Sequence, residues 1–130
     1  MAMPTTKPEF SVRNASRGTV LATRARLYAS FWKRFAGLMM RSGVPEGGGI
    51  LLTKSSSIHA LFMRFRFDAI FMDDEGRVTK VVQAMRPWTI AFGGKGAKHT
   101  LELAAGAAER SGTVAGDRLV FEDPIAGETP

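Results

Sequence analysis

The sequence predicts an α+β domain. It is a mainly antiparallel curled sheet or partial β-barrel, with one main helix at about residues 30–40 and a short second helix at about 106–111. Two observations lead there. Six or more short apolar runs, most separated by turn residues, recur along the 130-residue chain. The stretches with helical spacing are too few and too short for a doubly wound parallel fold. The length fits one domain, large enough for a core without staples.

Met1 to Gly18 has little periodicity and is expected to be a loosely ordered arm, with a strand candidate at Phe10–Val12. Thr19 to Tyr28 alternates, with Leu21, Thr23, Ala25 and Leu27 on one face and Val20, Ala22, Arg24 and Arg26 on the other, which predicts a strand with a partly wet face. Ser30 suits a helix N-cap, and Phe31, Phe35, Leu38 and Met39 recur at helical spacing behind it. Gly43, Pro45 and Gly47-Gly48-Gly49 end that helix. Ile50–Thr53 and Ile58–Met63 are strand candidates. Ala69–Met72 and Val78–Val82 flank Asp73-Asp74-Glu75-Gly76, an acidic turn with Gly at its end, which predicts a tight hairpin. Ala69–Met72 is apolar on both faces and belongs in the middle of the sheet. Pro87, Gly93, Gly94 and Gly96 then interrupt the pattern. Thr100–Leu103 is the next strand, Gly106–Ser111 a helical turn or two, and Arg118–Phe121 the closing strand. The chain thus divides into an arm (1–18), one globular domain (19–122) and a C-terminal tail (123–130).

The chain has no cysteine, so disulfides and thiolate metal sites are excluded. No apolar run approaches the roughly 20 residues of a membrane helix, and Met1–Phe10 has no signal-peptide core, so a cytoplasmic location without a transmembrane segment is expected. The net charge is +6 and is unevenly placed: residues 1–45 hold eight Lys/Arg against Glu9 alone. The basic stretch 13–41 is a candidate surface for weak nucleic-acid or anionic-surface association. The absence of base-reading motifs and stacking platforms counts against nucleic acid, and a solvated Arg-rich face is the simpler reading.

Residues 57–74 are the most informative stretch, because His59, Arg64 and Asp68 sit inside the most hydrophobic part of the chain. Burying such groups costs free energy unless each finds a partner. His59 and Asp68 beside Ser55, Ser56 or Ser57 have the residue types of a nucleophilic triad, but no Gly-x-Ser-x-Gly elbow is present. His99 and Glu102 are three apart, so a regular strand points them to opposite faces; with two histidines and no cysteine no metal site is expected. Gly93-Gly94-Lys95-Gly96-Ala97-Lys98 lacks the Walker ending and is read as a surface loop.

The string Ser57-Ile58-His59-Ala60-Leu61-Phe62-Met63-Arg64-Phe65-Arg66-Phe67-Asp68, followed by Phe71-Met72-Asp73 and Gly76-Arg77-Val78, resembles the central signature of the bacterial and archaeal "domain of unknown function 192" family. Arg34-Phe35-Ala36-Gly37-Leu38-Met39-Met40-Arg41 resembles its upstream block. Pro87-Trp88, Leu101-Glu102-Leu103-Ala104-Ala105-Gly106 and Gly116-Asp117 resemble its downstream blocks, in order. Arg66 departs from the pattern. The resemblance implies a small single-domain protein, often exported in other members; since the family is uncharacterised, it carries little about function.

From the residues themselves, the expected function is a non-enzymatic small-molecule or partner-binding module with no cofactor. Its binding residues are His59, Arg64, Asp68, Trp88 and Glu102. Arg64 would hold an anionic or polar group, Asp68 would orient Arg64 or His59, Trp88 would wall the site, and Glu102 would pair with a neighbouring base. One alternative is an enzyme of unknown reaction with His59 as general acid or base. The other is association through residues 13–41.

Overall fold

A computed structural model describes residues 9–28, 44–59 and 65–123, with Tyr28 and His59 described by backbone alone. Nine strands are present among these residues: β1 (Glu9–Asn14), β2 (Thr19–Tyr28), β3 (Gly48–Leu52), β4 (Ser57–His59), β5 (Phe67–Met72), β6 (Val78–Met85), β7 (Ile90–Phe92), β8 (His99–Ala104) and β9 (Leu119–Glu122). One five-residue helix, α1 (Ala107–Ser111), completes the set. Seven strands form one sheet in the order β6-β5-β8-β3-β2-β1-β9, and β4 and β7 form a separate two-stranded ribbon.

The curled sheet expected from the sequence is present, but the class differs. The described fold is mostly β, because a five-residue helix makes no layer of its own. The main helix expected at 30–40 lies outside the described residues. The sheet is mixed: β2 and β3 run parallel while its other pairings are antiparallel. A parallel pair requires a crossover, and the long 29–47 connection supplies its length.

The edge strands β6 and β9 meet at one end. Val78 N–H donates to Asp117 O (2.8 Å), Gly116 N–H to Val78 O (2.8 Å) and Leu119 N–H to Gly76 O (2.9 Å). The sheet is therefore a half-barrel whose two edges are tied together where β6 and β9 begin. Bulges drive the curl. At the clearest, Thr23 and Arg24 both donate to Gly47 O at 2.9 Å. That extra residue breaks the simple alternation read in β2, so Ala22 and Ala25, three apart, both enter the inner core.

Residues 9–14, expected within a loose arm, form a strand between β2 and β9 with Phe10 and Val12 buried. The short alternation there gains its weight from pairing on both sides, which is not local information. The acidic hairpin is as expected. Asp73 Oδ1 accepts from Glu75 N–H (2.8 Å) and Arg77 N–H (3.0 Å), and Gly76 takes φ +81.

Two cores lie on the two faces of the central strands. The inner one gathers Val12, Leu51, Ile70, Met72, Leu101 and Leu103. The outer one gathers Ile50, Phe65, Phe67, Phe71 and Met85, and is covered by Ile58 and Ala91 from the β4–β7 ribbon. Every residue of β5 is buried, as its doubly apolar pattern requires of an interior strand.

Candidate functional site

Asp68 stands on β5 facing the inner core. Its side chain is fully buried. Oδ1 accepts from Ala84 N–H (2.8 Å), and Oδ2 accepts from Gly106 N–H (3.1 Å) and Ala108 N–H (2.9 Å). The carboxylate so supplies the cap that Gly106, at the N-terminus of α1, cannot supply itself. It also holds Ala84 at φ +49 inside β6, a left-handed conformation that costs a non-glycine residue about 1–3 kcal/mol. Asp68 is thus committed to three backbone donors that fasten β5 to β6 and to α1.

Glu102 is also fully buried, on β8. It pairs across the sheet with Ile50 and Ala69, whereas Asp68 pairs with Leu103. Paired residues share a face, and consecutive residues alternate. Asp68 and Glu102 therefore project from opposite faces of the sheet and do not share one opening. Glu102 belongs with the outer core, beneath the ribbon. His59 lies on β4 at the register position paired with Ile90 of β7. Arg64 is outside the described residues. Trp88 sits just before β7, 61% exposed, at φ +66.

The ribbon has two unlike faces. Ile58 and Ala91 turn inward onto the outer core. Ile90 (58% exposed) and Phe92 (67% exposed) turn to solvent, and Trp88 is exposed in the turn that precedes them. Period-two spacing sets Ile90 and Phe92 on one side of β7, and the burial of Ala91 decides that this side faces water; Trp88, in a turn at φ +66, lies outside that alternation.

His99, the second histidine of the chain, holds two loops together. It is 8% exposed. Its Nδ1 accepts from Lys54 N–H (3.1 Å), so Nε2 carries the proton and donates to Asp74 Oδ1 (2.7 Å). That hydrogen bond holds the Asp74 carboxyl below its ordinary value. Lys54 is a further non-glycine residue at positive φ (+56), so His99 braces it much as Asp68 braces Ala84. The imidazole ties the acidic hairpin to the turn before β4. His99 and Glu102 do face opposite ways, since His99 pairs with Met72 of the inner core. Among the described residues, no group of three or more His, Asp or Glu is placed to hold a metal ion.

A second buried polar cluster closes the sewn end of the half-barrel. Asn14 Nδ2 donates to Thr113 Oγ1 and to Asp117 Oδ2, both at 3.0 Å. Arg17 Nε donates to the same carboxylate oxygen at 2.7 Å. The hydrogen bond from Arg17, with those from Asn14 and Val114 N–H, lowers the Asp117 pKa to about 2 against the cost of desolvation. Arg13 pairs with Glu122, and Arg24 and Arg26 with Glu9. The described part of the basic stretch 13–41 thus has its arginines beside carboxylates.

A surface groove of about 370 Å³ opens between β2, the 46–47 turn and α1. Arg110 and Glu46 form an ion pair there at 3.3 Å. None of the binding residues expected from the sequence lines it.

The profile of domain of unknown function 192, described as an uncharacterized ACR, matches residues 12–121. The chain belongs to the DUF192 family. A UPF0127 protein of Thermococcus sibiricus is 31% identical over 113 residues, covering 84% of this chain and 73% of its own. A UPF0127 protein of Pyrococcus furiosus is 31% identical over 117 residues, covering 86% and 98%. These relatives are archaeal. Among solved structures, a protein of unknown function from Novosphingobium aromaticivorans superposes with TM-score 0.71 at 20% identity, covering 91% of this chain and 92% of that one. A putative transcription regulator from Sinorhizobium meliloti superposes with TM-score 0.72 at 23% identity, covering 93% and 98%. At that identity the likeness is one of fold. The DUF192 blocks map onto the fold's fastenings: Asp68 onto the brace between β5, β6 and α1, and Asp117 onto the polar cluster at the sewn end.

Proposed function

We propose that this DUF192 protein is a non-enzymatic binding module whose binding face is the outer side of the β4–β7 ribbon. One observation carries the reading: Ile90 and Phe92 project into solvent from a ribbon whose other side is anchored in the core, and Trp88 is exposed in the turn that leads into it. Contiguous exposed apolar surface marks interaction sites in folded proteins. Trp88 is the residue of the expected set described beside this face, and the backbone of His59 pairs with Ile90 in the ribbon. Glu102 supports it from below, in the buried layer on which the ribbon rests. Asp68 holds backbone instead, and Arg64 lies outside the described residues.

Ile90→Ser and Phe92→Ser together test the binding reading. Exposed positions should tolerate the change, leaving the urea midpoint within about 0.5 kcal/mol of the parent. A ligand that raises the melting temperature of the parent should then fail to do so for the variant. If the double substitution instead costs several kcal/mol, the stripe is part of the core and the reading is wrong.

A further inference from the structure

Residues 76–101 contain no Asp or Glu and five cations, Arg77, Lys80, Arg86, Lys95 and Lys98. The exposed stripe lies in the middle of this acid-free stretch. Arg86, Lys95 and Lys98 are exposed on either side of it in sequence. Arg77 is turned to Gly116 O, and Lys98 contributes to the field at Asp74. Lys80, Arg86 and Lys95 make no ion pair among the described residues, in contrast to Arg13, Arg17, Arg24 and Arg26, each of which stands beside a carboxylate.

Large apolar side chains projecting between unneutralised cations are the chemistry of an anionic lipid interface. The aromatic and aliphatic groups enter the headgroup boundary, and the cations meet the negative surface. A protein partner fits less well. Three side chains at the exposures given expose roughly 300 Å², using ordinary aromatic side-chain areas, against the roughly 800 Å² per partner of a standard interface. Shallow insertion needs no such area.

Resting on the ribbon reading above, we infer that the Trp88–Ile90–Phe92 stripe and its flanking cations, Arg86 and Lys95 foremost, dock this protein on anionic phospholipid bilayers. The occupant is a negatively charged membrane surface, met edge-on by the ribbon. Among the described residues no helix is long and apolar enough to cross a membrane.

Co-sedimentation with vesicles of phosphatidylcholine and phosphatidylglycerol (3:1), and with phosphatidylcholine alone, tests this on the full chain. A Trp32→Phe background reports Trp88 emission alone. Binding is expected to the anionic vesicles and not to the neutral ones, with a blue shift of Trp88, and to weaken with added salt. Arg86→Glu and Lys95→Glu should each weaken it at least about fivefold, the loss expected for one cation at an anionic surface. Trp88→Gly keeps the positive φ and removes the indole, so it should lower partition while leaving circular dichroism unchanged. Ile90→Ser with Phe92→Ser should lower it further.

No sedimentation with anionic vesicles at low salt overturns the inference. So does binding that these substitutions leave untouched, since it then runs through another surface. Concentration-dependent dimers in analytical ultracentrifugation, abolished by Ile90→Ser with Phe92→Ser, also overturn it by making a second copy the occupant. In that last case, or if a small molecule's thermal shift is lost in the same variant, the binding reading stands without the lipid. If the salt and vesicle results fail and the stripe variants are destabilised, both fail together. Should the stripe variants not fold, the salt dependence of the parent and the Lys95→Glu variant decide.

Discussion

Replacing Asp68 tests whether a fully buried carboxylate holds this fold together. Three backbone donors converge on it, from Ala84, Gly106 and Ala108, at 2.8, 3.1 and 2.9 Å. Hydrogen bonds to a charged group contribute about 1.5–3 kcal/mol each, and a buried donor left unsatisfied costs about 1–3 kcal/mol. An asparagine has one acceptor oxygen. If that oxygen serves Gly106 and Ala108, the amide nitrogen confronts Ala84 N–H, donor against donor. Part of the loss is offset because a neutral amide is cheaper to bury than a carboxylate. Asp68→Asn should therefore cost about 2 kcal/mol. Asp68→Ala orphans all three donors and should cost about 4–5 kcal/mol, a large share of a typical 5–15 kcal/mol margin. Urea unfolding with unchanged slope measures both. Native-state hydrogen exchange should speed up first at Ala84, Gly106 and Ala108. An Asp68→Asn variant within about 0.5 kcal/mol of the parent would refute the reasoning, as would those three amides exchanging no faster than their neighbours.

The Asp117 cluster makes stability pH-dependent. The carboxyl titrates at about 2 in the fold against an ordinary 3.8, so its contribution is full above about pH 4 and disappears as pH falls through 2. Its size should be about 1–2 kcal/mol, reduced by the solvent around the half-exposed Arg17; Asp117→Asn should flatten this part of the stability profile in acid urea titrations. His99→Ala should let the Asp74 carboxyl rise toward 3.8 in a carbon-13 NMR titration, because the hydrogen bond that lowers it is gone; an unmoved Asp74 would count against that pairing. Gly76 and Gly94 share a positive φ, but a Cβ on Gly76 would stand 2.6 Å from Leu119 O, whereas one on Gly94 meets nothing within 4 Å. Gly94→Ala should thus cost about 1 kcal/mol of backbone strain alone, and Gly76→Ala clearly more; equal urea midpoints would show that β9 does not pack where it is described.

Much of the architecture was legible in short-range pattern. The 73–76 hairpin follows from an Asx turn and a closing glycine, both local in cause. The burial of β5 follows from its apolar residues on both faces, and the opposed directions of His99 and Glu102 follow from the two-residue period of a strand. The span of β2 matched its alternation, Thr19 to Tyr28, but its facing did not. The bulge at Thr23 and Arg24 is made by a carbonyl at residue 47, and no pattern within β2 announces it. β1 extends the Phe10–Val12 strand candidate to Glu9–Asn14 for a similar reason, as it pairs with β2 and β9 on either side.

By itself, then, the sequence determined where strands and turns fall, that one ribbon of residues carries unusual polar groups, and that the chain has the blocks of its family. Tertiary structure decided what those polar groups do. Asp68 meets donors 16, 38 and 40 residues away, and His99 meets Lys54 45 residues back. Partners at such separations are brought together by sheet order and curl, which local propensity does not encode. The same holds for the exposed side of the ribbon: alternation places Ile90 and Phe92 on one side of β7, and only the packing of Ala91 and Ile58 against the outer core turns that side to the solvent, with Trp88 exposed in the turn before it.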